Sequence, residues 1–571
     1  MAAMSDTIPD TVPDDALALQ RLWHWEKSAP GRIAFTQPGG GTLRDISWSE
    51  AVGQARRMAA HLKSLGLPHG SCIAILGKNS AHWLMADWAI WMAGHVSVPL
   101  YPTLAAATVR QVLEHSGARL LFVGKLDVWP EMKAGVPDGL PCVELPLGPG
   151  SGAPRWDDIV AATAPLAGEP VRPGDELCTV MYTSGTTGAP KGVMHRFSHF
   201  AWALQSGLRR IGGLDADARM LSYLPLSHVA ERTLVEHGQL ASGMRVYFAD
   251  TLETFTEDLR RARPTVFFSV PRLWLKFQQG VHARMPPSKL NTMLAVPGLG
   301  RIVRRKVLEG LGLDACRFAA GGAAPMPPDL LRWYGRLGLD VVEVYGMTEN
   351  CGISHATLPG HPHPGTVGLP YDGVQSRLDP ESGEIQMRCP ALMTGYYREP
   401  ELTREAFTAD GWLHTGDQGE LDDGGNLRIT GRVKDLFKTS KGKYVAPAPI
   451  EDKLVMHPAV EACCVSGAHL HQPLGLVMLN PAAAAQAADA AGRAALERSL
   501  ADHLATVNSL LDPHERLVCL VAMRDAWTVG NDLVTPTFKV KRGRIEALFA
   551  RRYEEWTAGG RAVVWYDGGG A

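Results

Sequence analysis

Tyr182-Thr183-Ser184-Gly185-Thr186-Thr187-Gly188-Ala189-Pro190-Lys191-Gly192 follows Leu177-Cys178-Thr179-Val180-Met181, an apolar run with strand character. The stretch holds three glycines, four Ser/Thr hydroxyls and one lysine. Glycines let successive backbone N–H groups turn toward one point, and hydroxyls and an ammonium add donors. A polyphosphate needs that set of groups. The pattern is not a Walker loop, which ends in Gly-Lys-Ser/Thr where this chain has Pro190-Lys191-Gly192. The competing reading is a polar surface loop, which the position directly after an apolar strand disfavours.

Strand-like and helix-like segments alternate around this loop. Residues 72–76, 96–98, 120–123, 180–182, 245–248 and 266–270 read as strands, and 83–92 and 252–261 as helices. Such alternation predicts sheets covered by helices. From 365 to 429 the texture changes to short strands with Gly/Pro/Asp turns, as in a small β-barrel or sheet. The texture changes again at Gly431-Arg432-Val433-Lys434-Asp435, which sets the expected domains at 1–431 and 432–571. The second carries strands, a helix over 450–456 and an alanine-rich helical tract over 482–500.

Four further stretches carry chemistry-bearing side chains. Tyr345-Gly346-Met347-Thr348-Glu349 follows the strand-like 340–344, and ligand-binding residues belong at the carboxyl ends of parallel strands. A tyrosine there can stack on a purine, and a glutamate can hold Mg²⁺ on a phosphate. Upstream, Gly321-Gly322-Ala323 permits close approach to backbone or makes a simple turn. Asp417, in Trp412-Leu413-His414-Thr415-Gly416-Asp417, can accept from two vicinal hydroxyls. Near the C-terminus, Thr535-Pro536-Thr537-Phe538-Lys539-Val540-Lys541-Arg542 is a basic run that is otherwise a solvated face.

Taken in order, these motifs resemble the adenylate-forming superfamily over about residues 30–545, and most closely its long-chain fatty acid CoA ligases. Pro225-Leu226-Ser227-His228-Val229-Ala230-Glu231-Arg232 and Ser269-Val270-Pro271-Arg272-Leu273-Trp274 are similar to that branch. The resemblance implies an α/β fold: a large N-terminal domain of helix-covered sheets plus a small β-barrel, then a small mobile α+β C-terminal domain with its hinge near Lys434. It implies that Thr183, Ser184, Gly185, Thr186, Thr187, Gly188 and Lys191 cradle the phosphates of ATP. Gly322 and Ala323 would line the adenine and acyl pockets, with Tyr345, Gly346 and Thr348 on the nucleotide and Glu349 on Mg²⁺. Asp417 would bind the ribose with Arg432, which is alternatively an interdomain ion pair. His228 would sit near the carboxylate pocket or simply pack. Lys539 would enter the site during adenylation; the family often has Gly before this lysine where this chain has Phe538, and Lys541 is its competitor. Gly442, in Lys441-Gly442-Lys443-Tyr444, would let the pantetheine arm of coenzyme A pass, or is a hairpin glycine. The implied activity joins a fatty acid to CoA through an acyl-adenylate. Alternatives are an aryl or short-chain acid, a carrier-protein thiol as acceptor, and a degenerate adenylate-binding regulator.

Composition bounds the rest. At 571 residues two or more domains are expected, with 45% hydrophobic and 20% charged residues. Fifty-seven basic against 59 acidic residues give a net charge of −2, which points away from nucleic acid. Nine dispersed cysteines without a C-x-x-C pair read as reduced thiols in a cytoplasmic protein, with no zinc site. Residues 1–15 lack a signal peptide's basic and apolar regions. The most apolar long stretch, 82–100, is interrupted by Asp87 and His95, so it is expected to be a buried helix and strand; a peripheral membrane contact there is the alternative. Oligomeric state is open.

Overall fold

The computed structural model describes residues 11–184, 190–535 and 539–568, with the Ser184 side chain outside that description. The chain forms two compact units. The first comprises 1–376, 387–413 and 423–427, the second 377–386, 414–422 and 428–571.

In the first unit, Cys72–Leu76, Val96–Leu100, Leu121–Val123 and Cys142–Glu144 pair in parallel within a seven-stranded sheet. Leu177–Ser184 continues it beside Val96–Leu100 and then turns back into Pro190–Arg196 as an antiparallel partner. The strands on either side of the Gly/Thr-rich stretch therefore pair antiparallel, with Thr183 opposite Lys191 and Ser184 opposite Pro190. A second sheet runs Val266–Ser269, Phe318–Gly322, Val341–Tyr345, His355–Ala356, Leu369–Pro370, its first three strands parallel. A third, four-stranded sheet joins Thr42–Ser47, Ile33–Gly39, Arg245–Phe248 and Arg219–Ser222.

Helix Ala81–Met92 is apolar all round because it is buried all round. Ser80 caps it by accepting from the Trp83 N–H at 3.2 Å. Trp83, Trp88 and Trp91 are fully buried, with Trp88 stacked between Phe35 and Trp48 at 5.5 and 5.9 Å. All of 82–100 is buried, so the expectation of core packing holds and this stretch offers no face to a membrane. No described helix is long and apolar enough to cross a membrane.

The short strands expected after residue 365 form a four-stranded sheet of order Gln375–Leu378, Glu384–Arg388, Leu413–Leu421, Leu427–Arg432. The second unit also holds the sheet Val460–Ser466, Leu474–Leu479, Leu520–Met523, Val563–Tyr566. Helix Ala490–Ser509 covers it through Leu496, Leu500, Leu504 and Val507. The alanine-rich tract is two helices, since Asn480 caps Pro481–Gln486 and Asp489 caps the next. Seven of the nine cysteines are buried and none is bridged. Among the described residues, no group of His, Cys, Asp and Glu is arranged to hold a metal by itself.

Candidate active site

Two β-turn-β units bring the first unit's candidate residues together. At the base of the hairpin, the Lys191 ammonium lies over the Tyr396 ring, 5.3 Å from its centroid. Tyr396 belongs to Gly395–Tyr396, the strand paired with Pro190–Arg196. Its hydroxyl donates to Glu349 Oε1 at 2.9 Å. Burial, and next the negative charge of Glu349, push the Tyr396 phenol far above its ordinary range, so it stays a donor. Glu349 is half-buried and sits in the single turn Thr348–Asn350. Gly185, Thr186, Thr187 and Gly188 lie outside the described residues.

The Tyr345–Gly352 turn is folded on itself. Gly352 N–H donates to the Met347 carbonyl at 2.9 Å, and Met347 N–H donates to Asn350 Oδ1 at 2.9 Å. A Cβ on Gly346 would lie 2.1 Å from the Gly352 carbonyl oxygen, so only glycine fits. The buried His195 Nε2 meets the Thr348 carbonyl at 2.7 Å, which makes that nitrogen the donor. Burial lowers the His195 pKa to about 4, keeping the ring neutral. Thr233 hydroxyl donates to the Cys351 carbonyl at 3.0 Å. This ties the turn to the segment Arg232–His237, which directly follows Val229–Glu231, whose N-cap is the half-buried His228.

Gly322 is equally constrained: a Cβ would meet Val344 Cγ2 and the Val344 carbonyl oxygen at 2.7 Å. Ala323 follows with φ +66, a left-handed conformation that costs a non-glycine residue roughly 1 kcal/mol. Such strain collects where a loop is held for function. Beneath it, the buried Glu343 accepts from Met326 N–H at 3.3 Å, and its Oε2 has no partner among the described residues. Burial pushes this carboxyl up to about 8.

The remaining candidates lie in the second unit. Asp417 Oδ1 pairs with Arg432 Nε at 3.0 Å across adjacent strands, with Asp417 mostly buried and Arg432 half exposed. Gly442 is exposed in the hairpin between Phe437–Lys438 and Tyr444–Val445, at φ +74, with open space where a Cβ would project. Lys539 is exposed, its N–H donating to Thr535 Oγ1 at 3.0 Å. In the same run, Lys541 pairs with Asp532, and Arg542 grips Glu451 through Nη2 at 2.7 and 2.9 Å.

Tyr396, His195 and Glu343 were not anticipated from the sequence. Tyr396 and Glu349 are far apart in the chain; the pairing of 395–396 with 193–194 and the Met393 N–H bond to the Glu349 carbonyl at 2.7 Å hold their segments side by side. His195 shares a strand face with Lys191, an alternation that would have flagged it as inward-facing.

The sequence profile of the AMP-binding enzyme family matches residues 22–397, and that of the AMP-binding enzyme C-terminal domain matches 434–555. The long-chain-fatty-acid–CoA ligase FadD15 of Mycobacterium bovis is 30% identical over 603 residues, spanning 97% of this chain and 99% of that protein. The peroxisomal long chain acyl-CoA synthetase 7 of Arabidopsis thaliana is 29% identical, spanning 89% of this chain and 81% of its own. Among solved structures, the A domain of a carboxylic acid reductase from Segniliparus rugosus, in complex with AMP and a co-purified carboxylic acid, matches with a TM-score of 0.77 at 23% identity, over 96% of this chain and 95% of that one. This chain belongs to the AMP-binding enzyme family.

Proposed function

We propose that this protein is an ATP-dependent, AMP-forming acyl-CoA synthetase that activates fatty acids. The observation that carries the reading is the Lys191–Tyr396–Glu349 arrangement at the base of a Gly/Thr-rich hairpin, which gathers phosphate-binding and carboxylate groups in one place. Similarity along almost the whole chain to a long-chain-fatty-acid–CoA ligase supports the acid and the acceptor.

A carboxylate is a poor acyl donor because oxide must leave. One carboxylate oxygen attacks the α-phosphorus of ATP, the bond to the β-phosphate bridging oxygen breaks, and pyrophosphate departs. The CoA sulfur then attacks the acyl carbon as its proton is lost, and AMP leaves with the carboxylate oxygen. In this reading Thr183, Ser184, Gly185, Thr186, Thr187, Gly188 and Lys191 donate to the phosphates. Tyr345, Gly346 and Thr348 hold the adenosine with Gly322 and Ala323, Asp417 and Arg432 take the ribose hydroxyls, and His228 orients the acid. Glu349 suits Mg²⁺: its carboxylate is half-exposed, and no described residue donates to Oε2. Magnesium there would neutralise charge developing on the phosphates. Lys539 contributes its ammonium to adenylation and Gly442 admits the pantetheine arm, the domains 1–431 and 432–571 alternating about Lys434. The protein is assigned to the cytoplasm.

The test is a substrate series with AMP release measured with and without CoA. Each methylene buried in an apolar tunnel contributes about 0.8 kcal/mol, roughly a factor of four. kcat/KM therefore rises steeply from hexanoate to at least about ten carbons. An optimum at acetate, propionate or benzoate would overturn the fatty acid assignment, and AMP release indifferent to CoA would overturn the acceptor.

A further inference from the structure

Helices Pro287–Ala295 and Leu299–Leu311 pack their inner faces, through Leu290 and Val303, into a core with Trp274 and Tyr334. Their connection does the opposite. Residues 295–299 are Ala-Val-Pro-Gly-Leu, all apolar and all exposed. Of the fourteen large hydrophobic residues exposed among the described residues, three fall between 296 and 302: Val296 at 44%, Leu299 at 38% and Ile302 at 54%. Leu299 and Ile302 are three apart on one helix and so neighbour each other on its outer side. Isolated exposed apolar side chains need no explanation, but a contiguous group beside a charged rim does.

The rim is cationic. Arg284, Lys289, Arg301, Arg304, Arg305 and Lys306 are all exposed. From 280 to 312 the chain has these six cations against one carboxylate, Glu309, which is paired with Arg305 at 2.7 Å. The nearby Asp314 is engaged by Arg263 at 2.6 Å. Residues 280–312 thus carry a net charge of +5 in a chain whose net charge is only −2.

We propose that this face docks on anionic lipid bilayers, with Val296, Leu299 and Ile302 entering the interface and Arg301, Arg304 and Lys306 engaging lipid phosphates. Apolar tips rimmed by Lys and Arg bind membranes by burying the apolar atoms below the headgroups while the cations meet their negative charge. Phosphate-binding cations alone would suit nucleic acid equally; the exposed apolar tip selects the bilayer. The surface stands independently of which acid is the substrate.

Co-sedimentation of the full chain with phosphatidylcholine vesicles, with and without phosphatidylglycerol, tests it. Binding should require phosphatidylglycerol and weaken with salt. Each cation near an anionic surface contributes roughly fivefold in affinity at low salt. The triple variant Arg301→Glu/Arg304→Glu/Lys306→Glu should lose at least about a hundredfold, and Val296→Ser/Leu299→Ser/Ile302→Ser should release the protein as well. Both sets are exposed and neither includes a proposed catalytic or binding residue, so acyl-adenylate formation from a water-soluble acid without vesicles should be unchanged. That control separates loss of docking from loss of fold or of the enzymatic reading. Wild-type protein that ignores anionic vesicles, or variants that bind as it does, would overturn the proposal. So would a change in oligomeric state in the serine variant without vesicle binding by the wild type, which would make the face a contact between copies of this chain.

Discussion

Tyr396 holds two groups that the sequence names separately. Its hydroxyl fixes one oxygen of Glu349 and its ring faces Lys191. Tyr396→Phe keeps the ring and removes the donor. Because Glu349 is half-exposed, water replaces much of the lost bond, so the cost is nearer 1 kcal/mol than the larger values for buried charged groups. We expect the Mg²⁺ concentration for half-maximal pyrophosphate release to rise about fivefold with melting almost unchanged; an unaltered Mg²⁺ titration would contradict the pairing's role. Glu343 makes a second residue-scale case. Burial places its carboxyl at about 8 in the folded chain against an ordinary value of 4.5. The folded chain thus keeps a proton that the unfolded chain releases, and stability falls as pH rises from about 4.5 through about 8. Glu343→Gln removes this contribution, so the variant should match wild type near the acid end of that window and exceed it in melting temperature at the alkaline end. A constant difference across pH would refute it. Glu349, Asp417 and Lys539 are proposed because their motifs name them. Glu343 and Tyr396 are not legible in this way, since their meaning arises from neighbours distant in sequence.

Elements with strong local signals were the legible ones. The all-apolar 72–76 and the three-tryptophan helix follow from their patterns, and both are buried on every face. The hairpin was less legible, because a Gly/Thr loop after a strand does not say that the chain returns antiparallel to it. Least legible was Arg232–His237, one stretch of wider π-helix directly after His228's turn. There Arg232 lies fully buried between Asp87 and Glu236, the latter at 3.3 Å. Burial and the neighbouring Asp87 charge push the Glu236 carboxyl well up, and burial raises Asp87 as well against the pull of Arg232, whose nearer partner it is. Nothing in the local sequence pairs Asp87 with Arg232. Removing one member of such a cluster leaves an uncompensated buried charge, so Arg232→Met should cost about 3–5 kcal/mol. Denaturant unfolding reads this directly; a loss under about 1 kcal/mol would mean that the cluster is solvated and weak.

At the scale of the whole molecule, the proposed site residues are divided between two units, with Glu349, Tyr345 and Lys191 in one and Asp417, Gly442 and Lys539 in the other. Order along the chain puts Gly442 and Lys539 past the expected boundary at 431/432, but Asp417, expected before it, falls in the second unit; which group serves which step is not legible, because a sequence carries no time axis. Lys539→Ala should reduce acid-dependent pyrophosphate release by roughly 10²-fold, as expected for a group that stabilises transition-state charge, yet still convert supplied acyl-AMP and CoA to product. Equal loss of both half-reactions would contradict the assignment. Gly442→Leu should do the reverse, its exposed hairpin absorbing the left-handed strain of roughly 1–2 kcal/mol. The central claim is that a carboxylate oxygen attacks the α-phosphorus. It is tested most directly with a fatty acid labelled with heavy oxygen in both carboxylate positions, turned over with ATP and CoA, and mass analysis of the nucleotide. The account predicts that each AMP carries one labelled oxygen and that pyrophosphate carries none. Label appearing in inorganic phosphate, with ADP as the nucleotide product, would instead mean an acyl phosphate and would contradict it.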